Sequence, residues 1–205
     1  EGQMGGSEVG HLCLGAGRIV HQDLSYLNRV IETGEFRANP VLLRAMNQAA
    51  QGGKALHLLG LVSPGGVHSH QDHIYTLVDM AREAGVAQVY IHAFLDGRDV
   101  PPASALGFLD ELEDRLSQLG LGKIATVSGR YYAMDRDTRW DRVKAAWDAM
   151  VHSLGRTARS AREAVEQSYA EGVTDEFVLP TVIVDEHGSP VGPARDGDSV
   201  IFFNF

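Results

Sequence analysis

Apolar residues along the chain fall into two alternating patterns. Short apolar runs, which are typical of buried strands, occupy residues 56–62, 88–95 and 123–127. Longer segments with apolar residues three or four positions apart are typical of amphipathic helices and occupy residues 23–33, 41–46, 70–84, 101–119 and 139–151. Because strands and helices alternate, the sequence predicts an α/β protein.

Three strands separated by helices favour right-handed crossovers and a parallel sheet that is covered on both faces. We therefore expect a three-layer α/β/α fold with a mostly parallel sheet. Two later apolar runs, 178–184 and 200–205, are joined through a turn at 185–188 and predict added antiparallel strands near the C-terminus. The glycine-rich segment 5–17 and the basic segment 153–162 are predicted to be loops.

The composition is that of a folded chain without a membrane-spanning segment. Hydrophobic residues make up 44% of the 205 residues, which is ordinary for a globular core. No apolar stretch is long enough to cross a bilayer, and the first residues lack the order of a signal peptide. Cys13 is the only cysteine, so an internal disulfide is excluded, and we expect its thiol to be packed. We expect a cytoplasmic protein that has no membrane partner.

The net charge of -9 argues against a nucleic-acid partner, because such proteins gain most of their affinity from basic surfaces. A small anion remains a candidate ligand. A few arginines that converge in one pocket can bind a phosphate or a carboxylate whatever the charge of the whole surface.

Polar residues follow each of the three predicted parallel strands. Ligands of open α/β sheets bind outside the carboxyl ends of the strands, so these residues are the first candidates for a site. The side chains that could bind an anion or move protons there are His68, Arg98, Asp99, Arg130 and Arg136. A single Arg–Asp pair in a loop is more often a salt bridge, but three loops with the same chemistry favour a binding site.

Histidines near the first of these loops have a second interpretation. His68 and His70 have the spacing of a metal-binding pair, which leaves a metal-dependent hydrolase as an alternative. His70 is also predicted to begin a helix, one turn before His73, where a capping or surface role is at least as good an explanation. His57 lies inside a strand, as does His92, and both are predicted to be packed in the core.

Ser7 lies among glycines in residues 4–11. A serine whose neighbours let backbone amides approach an oxyanion could be a nucleophile, although a linker serine would have the same surroundings. Gly15 and Gly17 follow no strand, so a dinucleotide-binding fingerprint is rejected.

Four motifs in this order resemble the cofactor-independent phosphoglycerate mutases of the alkaline phosphatase superfamily. They are GGSEVGH at residues 5–11, GGVHSH at 65–70, FLDGRDV at 94–100 and SGRYYAMDRD at 128–137. The resemblance covers nearly the whole chain, and four coinciding motifs are far more specific than any one of them.

This resemblance implies interconversion of 3-phosphoglycerate and 2-phosphoglycerate through a phosphoserine, without 2,3-bisphosphoglycerate. It implies that Ser7 is the nucleophile and a ligand of one of two Mn²⁺ ions, and that Asp99 moves protons. The positions that match substrate-contacting residues of the family are His68, Arg98, Asp99, Arg130 and Arg136. It also favours a monomer.

The same resemblance predicts two parts of unequal size. Residues 1–21 are expected to be the nucleophile loop and hinge of a phosphatase-like metal domain, and residues 22–205 a substrate-binding domain truncated at its C-terminal end. The chain starts without methionine and stops in an apolar run, so we expect a fragment.

Two departures from the family pattern bear on activity. Gly6 stands where the family usually has asparagine, so one amide beside Ser7 is missing. The remaining metal ligands of the family lie in segments outside this chain. We therefore predict that the chain alone binds manganese poorly and has no mutase activity. A non-catalytic module that binds small anions remains an alternative.

Overall fold

A computed structural model describes residues 7–205 and confirms the α/β class. The α-helices are α1 Ser7–Ala16, α2 Asp23–Glu32, α3 Pro40–Gly52, α4 Gln71–Glu83, α5 Ala105–Leu119, α6 Arg130–Ala133, α7 Trp140–Trp147 and α8 Ala161–Ala170. The strands are β1 Leu56–Leu61, β2 Val89–Leu95, β3 Lys123–Gly129, β4 Arg156–Ala158, β5 Thr181–Ile183 and β6 Ser199–Phe202. Two 3₁₀ turns, Glu35–Ala38 and Asp175–Phe177, and a π-helical turn, Asp148–His152, complete the elements.

The strands form one sheet in the order β4-β5-β3-β2-β1-β6. β6, β1, β2 and β3 run parallel to one another, with Leu56 of β1 opposite Val89 on one side and Ser199 on the other. β5 is antiparallel to β3, and β4 is parallel to β5. The prediction of a mostly parallel sheet is confirmed, and the carboxyl ends of β1, β2 and β3 lie at one edge.

Helices cover both faces of the sheet, which explains why β1 is apolar without alternation. Leu56 and Leu58 belong to the main core, which packs against α3, α4, α5 and α8. Leu59 and Leu61 point to the other face and form a smaller cluster with Phe94. Residues from α6 and the π-helical turn pack on that cluster.

A row of polar side chains crosses this second face. His57 Nδ1 lies 2.9 Å from His92 Nε2, and His92 Nδ1 lies 2.9 Å from Thr126 Oγ1. His57 Nε2 lies 3.2 Å from Asp198 Oδ2. Both histidines are fully buried, so the prediction that they are packed and satisfied in the core is confirmed.

The predicted loop at residues 5–17 is wrong where the structure describes it, because Ser7–Ala16 form α1. Gly10 and Gly15 lie within this continuous helix, and Gly17, which has a positive φ of 62°, follows its last residue. The Cys13 thiol is half-buried, and its sulfur accepts a hydrogen bond of 3.2 Å from the Val20 amide. Residues 1–6, including Gly6, lie outside the described residues.

The predicted loop at 153–162 is also wrong, because β4 and the start of α8 lie within it. A strand of three residues is too short to give a periodic signal, and β4 exists through its pairing with β5. The two apolar runs near the C-terminus are not partners either. β5 pairs with β3, whereas β6 pairs in parallel with β1 nearer the other edge of the sheet.

Helix α5 begins at Ala105 rather than at the predicted Pro101. The buried carboxylate of Asp175 accepts hydrogen bonds from the amides of Ser104 and Ala105, at 2.9 and 3.0 Å. A side chain from far along the chain therefore satisfies the first turn of this helix. Within the described range, no helix is both long and apolar enough to span a membrane.

Candidate functional site

The candidate site lies at the carboxyl ends of β1, β2 and β3. Ser63 follows β1 closely, Asp96 is the first residue after β2, and Arg130 is the first residue after β3. Because these strands are parallel and adjacent, the three residues meet at one edge of the sheet. All three side chains are buried.

Arg130 and two aspartates form the centre of the site. Arg130 Nη1 lies 2.7 Å from Asp96 Oδ1 and 2.7 Å from Asp99 Oδ2. Asp96 Oδ2 accepts a hydrogen bond of 2.7 Å from the Ser63 hydroxyl. Asp96 Oδ1 also accepts hydrogen bonds from the amide of Arg98, at 3.2 Å, and from the amide of Asp99, at 3.0 Å. Asp96 therefore fixes both the arginine and the loop that presents Arg98.

Asp96 and Arg130, at the centre of the site, are both ionised. Burial alone would raise the pKa of Asp96, but hydrogen bonds from the Asp99 amide, Ser63 and Arg130 outweigh it and lower the pKa below its ordinary value. Burial opposes the charge of Arg130 as well, and its hydrogen bonds to Asp99 and Asp96 outweigh that effect and raise its pKa. The site thus holds a fixed guanidinium.

A cavity of about 470 Å³ opens beside Arg130. Its charged lining residues are Arg98, Arg130, Arg136, Arg142, Asp135, Asp137 and Glu176. The side chain of Arg98 is exposed, and its Nε lies 3.3 Å from Glu176 Oε1. Arg136 is exposed and makes no ion pair with any residue in the described range 7–205. All three predicted arginines, Arg98, Arg130 and Arg136, therefore line one cavity.

The 3₁₀ turn Asp175–Phe177 closes one side of this cavity and packs directly on the end of β3. A Cβ atom added at Gly129 would lie 2.2 Å from the carbonyl oxygen of Glu176. Gly97 has a positive φ of 74°, and a Cβ atom there would lie 3.0 Å from the Glu176 amide nitrogen. Only glycine permits this approach, which brings the Glu176 carboxylate to Arg98.

Replacing Gly129 with alanine is expected to lower the free energy of unfolding by about 2–4 kcal/mol, because the added methyl group overlaps backbone atoms. Urea unfolding followed by circular dichroism measures this change. Gly107→Ala in α5 is the matched control, since a Cβ atom there meets nothing within 4 Å and alanine favours a helix. A Gly129→Ala chain as stable as the Gly107→Ala chain would show that the contact is absent.

His68 lies in the loop after β1 and is half-buried. Its carbonyl oxygen accepts a hydrogen bond of 2.7 Å from the Phe205 amide, and its side chain has no hydrogen-bond partner among residues 7–205. The same loop approaches the centre of the site at Gly65, where an added Cβ atom would lie 2.9 Å from the Cβ atom of Asp99. His68 therefore lies at the carboxyl ends of the parallel strands, as predicted, but it does not line the cavity.

The neighbouring histidines have structural roles. His70 caps α4 by accepting a hydrogen bond of 3.3 Å from the Asp72 amide, which agrees with the capping interpretation. His73 is buried, and its Nε2 lies 2.9 Å from Asn28 Oδ1. No group of three or more His, Cys, Asp or Glu side chains among residues 7–205 is arranged to hold a metal ion.

Ser7 is the first residue of α1 and is exposed. Its Oγ lies 3.4 Å from His11 Nδ1, which also lies 2.7 Å from the Ser7 carbonyl oxygen. No hydrogen bond or ion pair in the described part of the chain joins Ser7 to His68, Asp99 or the arginines. The structure thus assembles the arginine cluster without the serine.

The sequence did not identify two charged residues that line the cavity, Arg142 and Glu176. Arg142, on α7, places its guanidinium carbon 3.7 Å from the centre of the Tyr131 ring. Its Nη1 lies 3.3 Å from Asp135 Oδ1. Glu176 comes from a turn far along the chain. Neither residue follows a parallel strand, so the rule that identified the other positions gave no signal for them.

Comparison with known proteins places the chain in a family. The family model described as BPG-independent PGAM N-terminus (iPGM_N) matches residues 27–205. The 2,3-bisphosphoglycerate-independent phosphoglycerate mutase of Myxococcus xanthus is 60% identical over the whole chain, and that of Chloroflexus aggregans is 58% identical. The chain spans 40% and 38% of the length of these two relatives.

A solved structure of Leishmania mexicana phosphoglycerate mutase, at low cobalt concentration, is also similar. It aligns with 98% of this chain at a TM-score of 0.89 and 39% sequence identity, and the chain covers 38% of it. The family model and the relatives agree with the motif resemblance. The chain belongs to the family of BPG-independent phosphoglycerate mutases, whose N-terminal family model it matches.

Proposed function

We propose that this chain is the substrate-binding part of an enzyme that interconverts 3-phosphoglycerate and 2-phosphoglycerate without 2,3-bisphosphoglycerate. The observation that carries the proposal is the convergence of Arg98, Arg130 and Arg136 on one cavity beside Asp99. Phosphoglycerate carries a carboxylate and a phosphate, and guanidinium groups bind both through paired N–H donors. Family membership supports the same substrate.

The residues of the site have separate roles: the arginines bind the substrate, and Asp99 transfers protons. Arg130 is held by Asp96 and Asp99, so it meets the anion in a fixed orientation, and little ordering is required on binding. Arg98 and Arg136 are exposed at the cavity and supply further donors. We assign Asp99, whose carboxylate accepts a hydrogen bond from Arg130, the role of moving protons between the two glycerate hydroxyls. His68 does not line the cavity, and we assign it a substrate contact from the loop after β1 in the complete enzyme.

Ser7 carries the phosphoryl group while glycerate stays bound and reorients. The first turn of α1 leaves backbone N–H groups that favour a negatively charged group on Ser7. Two Mn²⁺ ions, which the family resemblance implies, would activate the serine and offset the phosphoryl charge. Residues 7–205 do not fit such a site by themselves, because they contain no metal-binding group of three side chains and Ser7 would supply one oxygen.

We assign the remaining ligands, as the family resemblance implies, to segments outside this chain, and the chain alone is expected to bind manganese poorly and to lack mutase activity. Within this proposal, residues 1–21 are the nucleophile segment, which includes α1, and the hinge, and residues 22–205 are the substrate-binding domain. The complete enzyme acts in glycolysis in the cytoplasm, as a monomer with phosphoglycerate as its partner and with neither nucleic acid nor membrane.

The alternative of a metal-dependent hydrolase that uses His68 and His70 is not favoured. The Nδ1 atom of His70 is engaged at the start of α4. The third loop supplies Arg130 and Arg136, which are not metal ligands. The alternative of a non-catalytic anion-binding module describes the isolated chain, and the experiment below separates it from the enzyme.

Turnover of 3-phosphoglycerate by the full-length protein, with manganese and without 2,3-bisphosphoglycerate, tests the proposal. Ser7→Ala is expected to reduce turnover by about 10³-fold or more, because the phosphoryl acceptor is removed. Ser117→Ala, at an exposed position of α5, is the matched control and should retain activity. A folded, manganese-loaded protein without turnover, or a Ser7→Ala variant with full turnover, would contradict the phosphoserine mechanism.

A further inference from the structure

The arginine cluster contains one member that neither the sequence motifs nor the strand-end rule identifies. Arg142 lines the same cavity as Arg98, Arg130 and Arg136. It comes from α7, so it approaches from a different element. The side chain is 20% exposed, which leaves part of the guanidinium open to a ligand.

Two contacts hold Arg142 in place without using up its donors. Its guanidinium carbon lies over the Tyr131 ring at 3.7 Å, a cation–π contact. Its Nη1 lies 3.3 Å from Asp135 Oδ1. A guanidinium has five N–H donors, and among residues 7–205 this is the one hydrogen bond that Arg142 donates. Its remaining donors are available at the cavity.

Asp135 joins Arg142 to the loop that carries Arg136. The side chain of Asp135 is 1% exposed. Its Oδ2 accepts the amide of Arg139 at 2.8 Å and that of Asp137 at 3.2 Å. The backbone that follows Arg136, at Asp137 and Arg139, is therefore held by the same carboxylate that holds Arg142. The two arginines are presented to the cavity by one small, hydrogen-bonded unit.

We propose that Arg142 is a further substrate-binding residue, which together with Arg136 binds one oxyanion of phosphoglycerate while Arg98 and Arg130 bind the other. The inference rests on the proposed function and deepens it. Phosphoglycerate has an oxyanion at each end, and the cavity presents arginines from two places, the ends of β2 and β3 and the segment 135–142. Two pairs of guanidinium groups match two oxyanions.

Calorimetric titration of the chain with 3-phosphoglycerate measures the effect. Arg142→Gln is expected to weaken binding by roughly ten- to a hundredfold, since charge-assisted hydrogen bonds are lost. Arg142→Lys should restore only part of the affinity, because an ammonium lacks the planar fork. Arg139→Gln removes the same charge from an exposed neighbour that does not line the cavity, and should change the affinity less than about twofold. Equal affinity of Arg142→Gln and wild type would overturn the inference.

A double-mutant cycle separates direct binding from an effect through the loop. If Arg142 only positions Arg136, Arg142→Gln has no further effect in an Arg136→Gln chain, and that result would overturn the inference. Direct binding predicts a further loss of at least about threefold. Glycerate and inorganic phosphate, titrated separately, identify the oxyanion by which of them loses affinity in Arg142→Gln. A loss with neither probe counts against the inference. Absence of 3-phosphoglycerate binding by the wild-type chain would instead overturn the proposed function.

Discussion

Replacing Arg130 with methionine is expected to lower the free energy of unfolding by about 3–5 kcal/mol. The substitution keeps most of the apolar stem but removes the charge that faces Asp96 and Asp99. Asp96 is 2% exposed, so its carboxylate would remain buried without a counter-ion. The loss is measured by urea unfolding at pH 7, with the linear dependence on denaturant giving the free energy.

Arg98→Met is the matched control for this prediction. Arg98 also pairs with a carboxylate, that of Glu176, but its side chain is 57% exposed. A pair of that kind contributes less than about 1 kcal/mol. Arg130→Met combined with Asp96→Asn should recover part of the stability, because the buried charge is removed. If Arg130→Met and Arg98→Met lower the free energy of unfolding by the same amount, Arg130 is not the buried centre of the site.

Lowering the pH is expected to reduce the free energy of unfolding, and this reduction begins well above the pH range in which carboxylates titrate. Burial lowers the pKa of His92 to about 3, and burial with the nearby His70 lowers the pKa of His73 to about 4. Burial also lowers the pKa of His57. In the unfolded chain these groups titrate near about 6.5. Below that pH the unfolded chain takes up protons that the folded chain does not, so the free energy of unfolding falls.

The loss begins near pH 6.5 and continues towards the folded-state pKa values, at up to about 1.4 kcal/mol per pH unit for each histidine that stays neutral. Urea midpoints measured between pH 7.5 and 5 give the slope. His73→Gln should reduce it, and His187→Gln, at an exposed turn position, should leave it unchanged. A midpoint that is constant over this range would contradict the buried, neutral histidines.

The sequence was sufficient for the elements that carry their own signal. β1 and β2 are apolar runs that stay buried on both faces, and α4 has both an apolar stripe and a terminating Gly85 with a positive φ. The missed elements depend on distant contacts. β4 is held by β5, and the start of α5 is fixed by Asp175. Such partners have no local pattern that could reveal them.

The candidate site divides in the same way. Arg98 and Arg130 were predicted because each follows a parallel strand closely, so topology alone brings them together. Arg142 and Glu176 reach the cavity through the packing of α7 and of the turn at 175–177. Their positions depend on Tyr131 and on the glycine contact at Gly129, which sequence periodicity does not encode.

The most direct test of the account is where 3-phosphoglycerate binds on the wild-type chain, measured by NMR chemical-shift mapping of the backbone amides. Binding at the strand-end cavity predicts the largest shifts at its lining residues, which include Arg98, Arg130 and Tyr131. A second cavity, at the opposite end of the sheet, is lined by Gln88, Lys123 and Arg159 among others. Shifts confined to that second cavity, or no shifts at saturating ligand, would contradict the account.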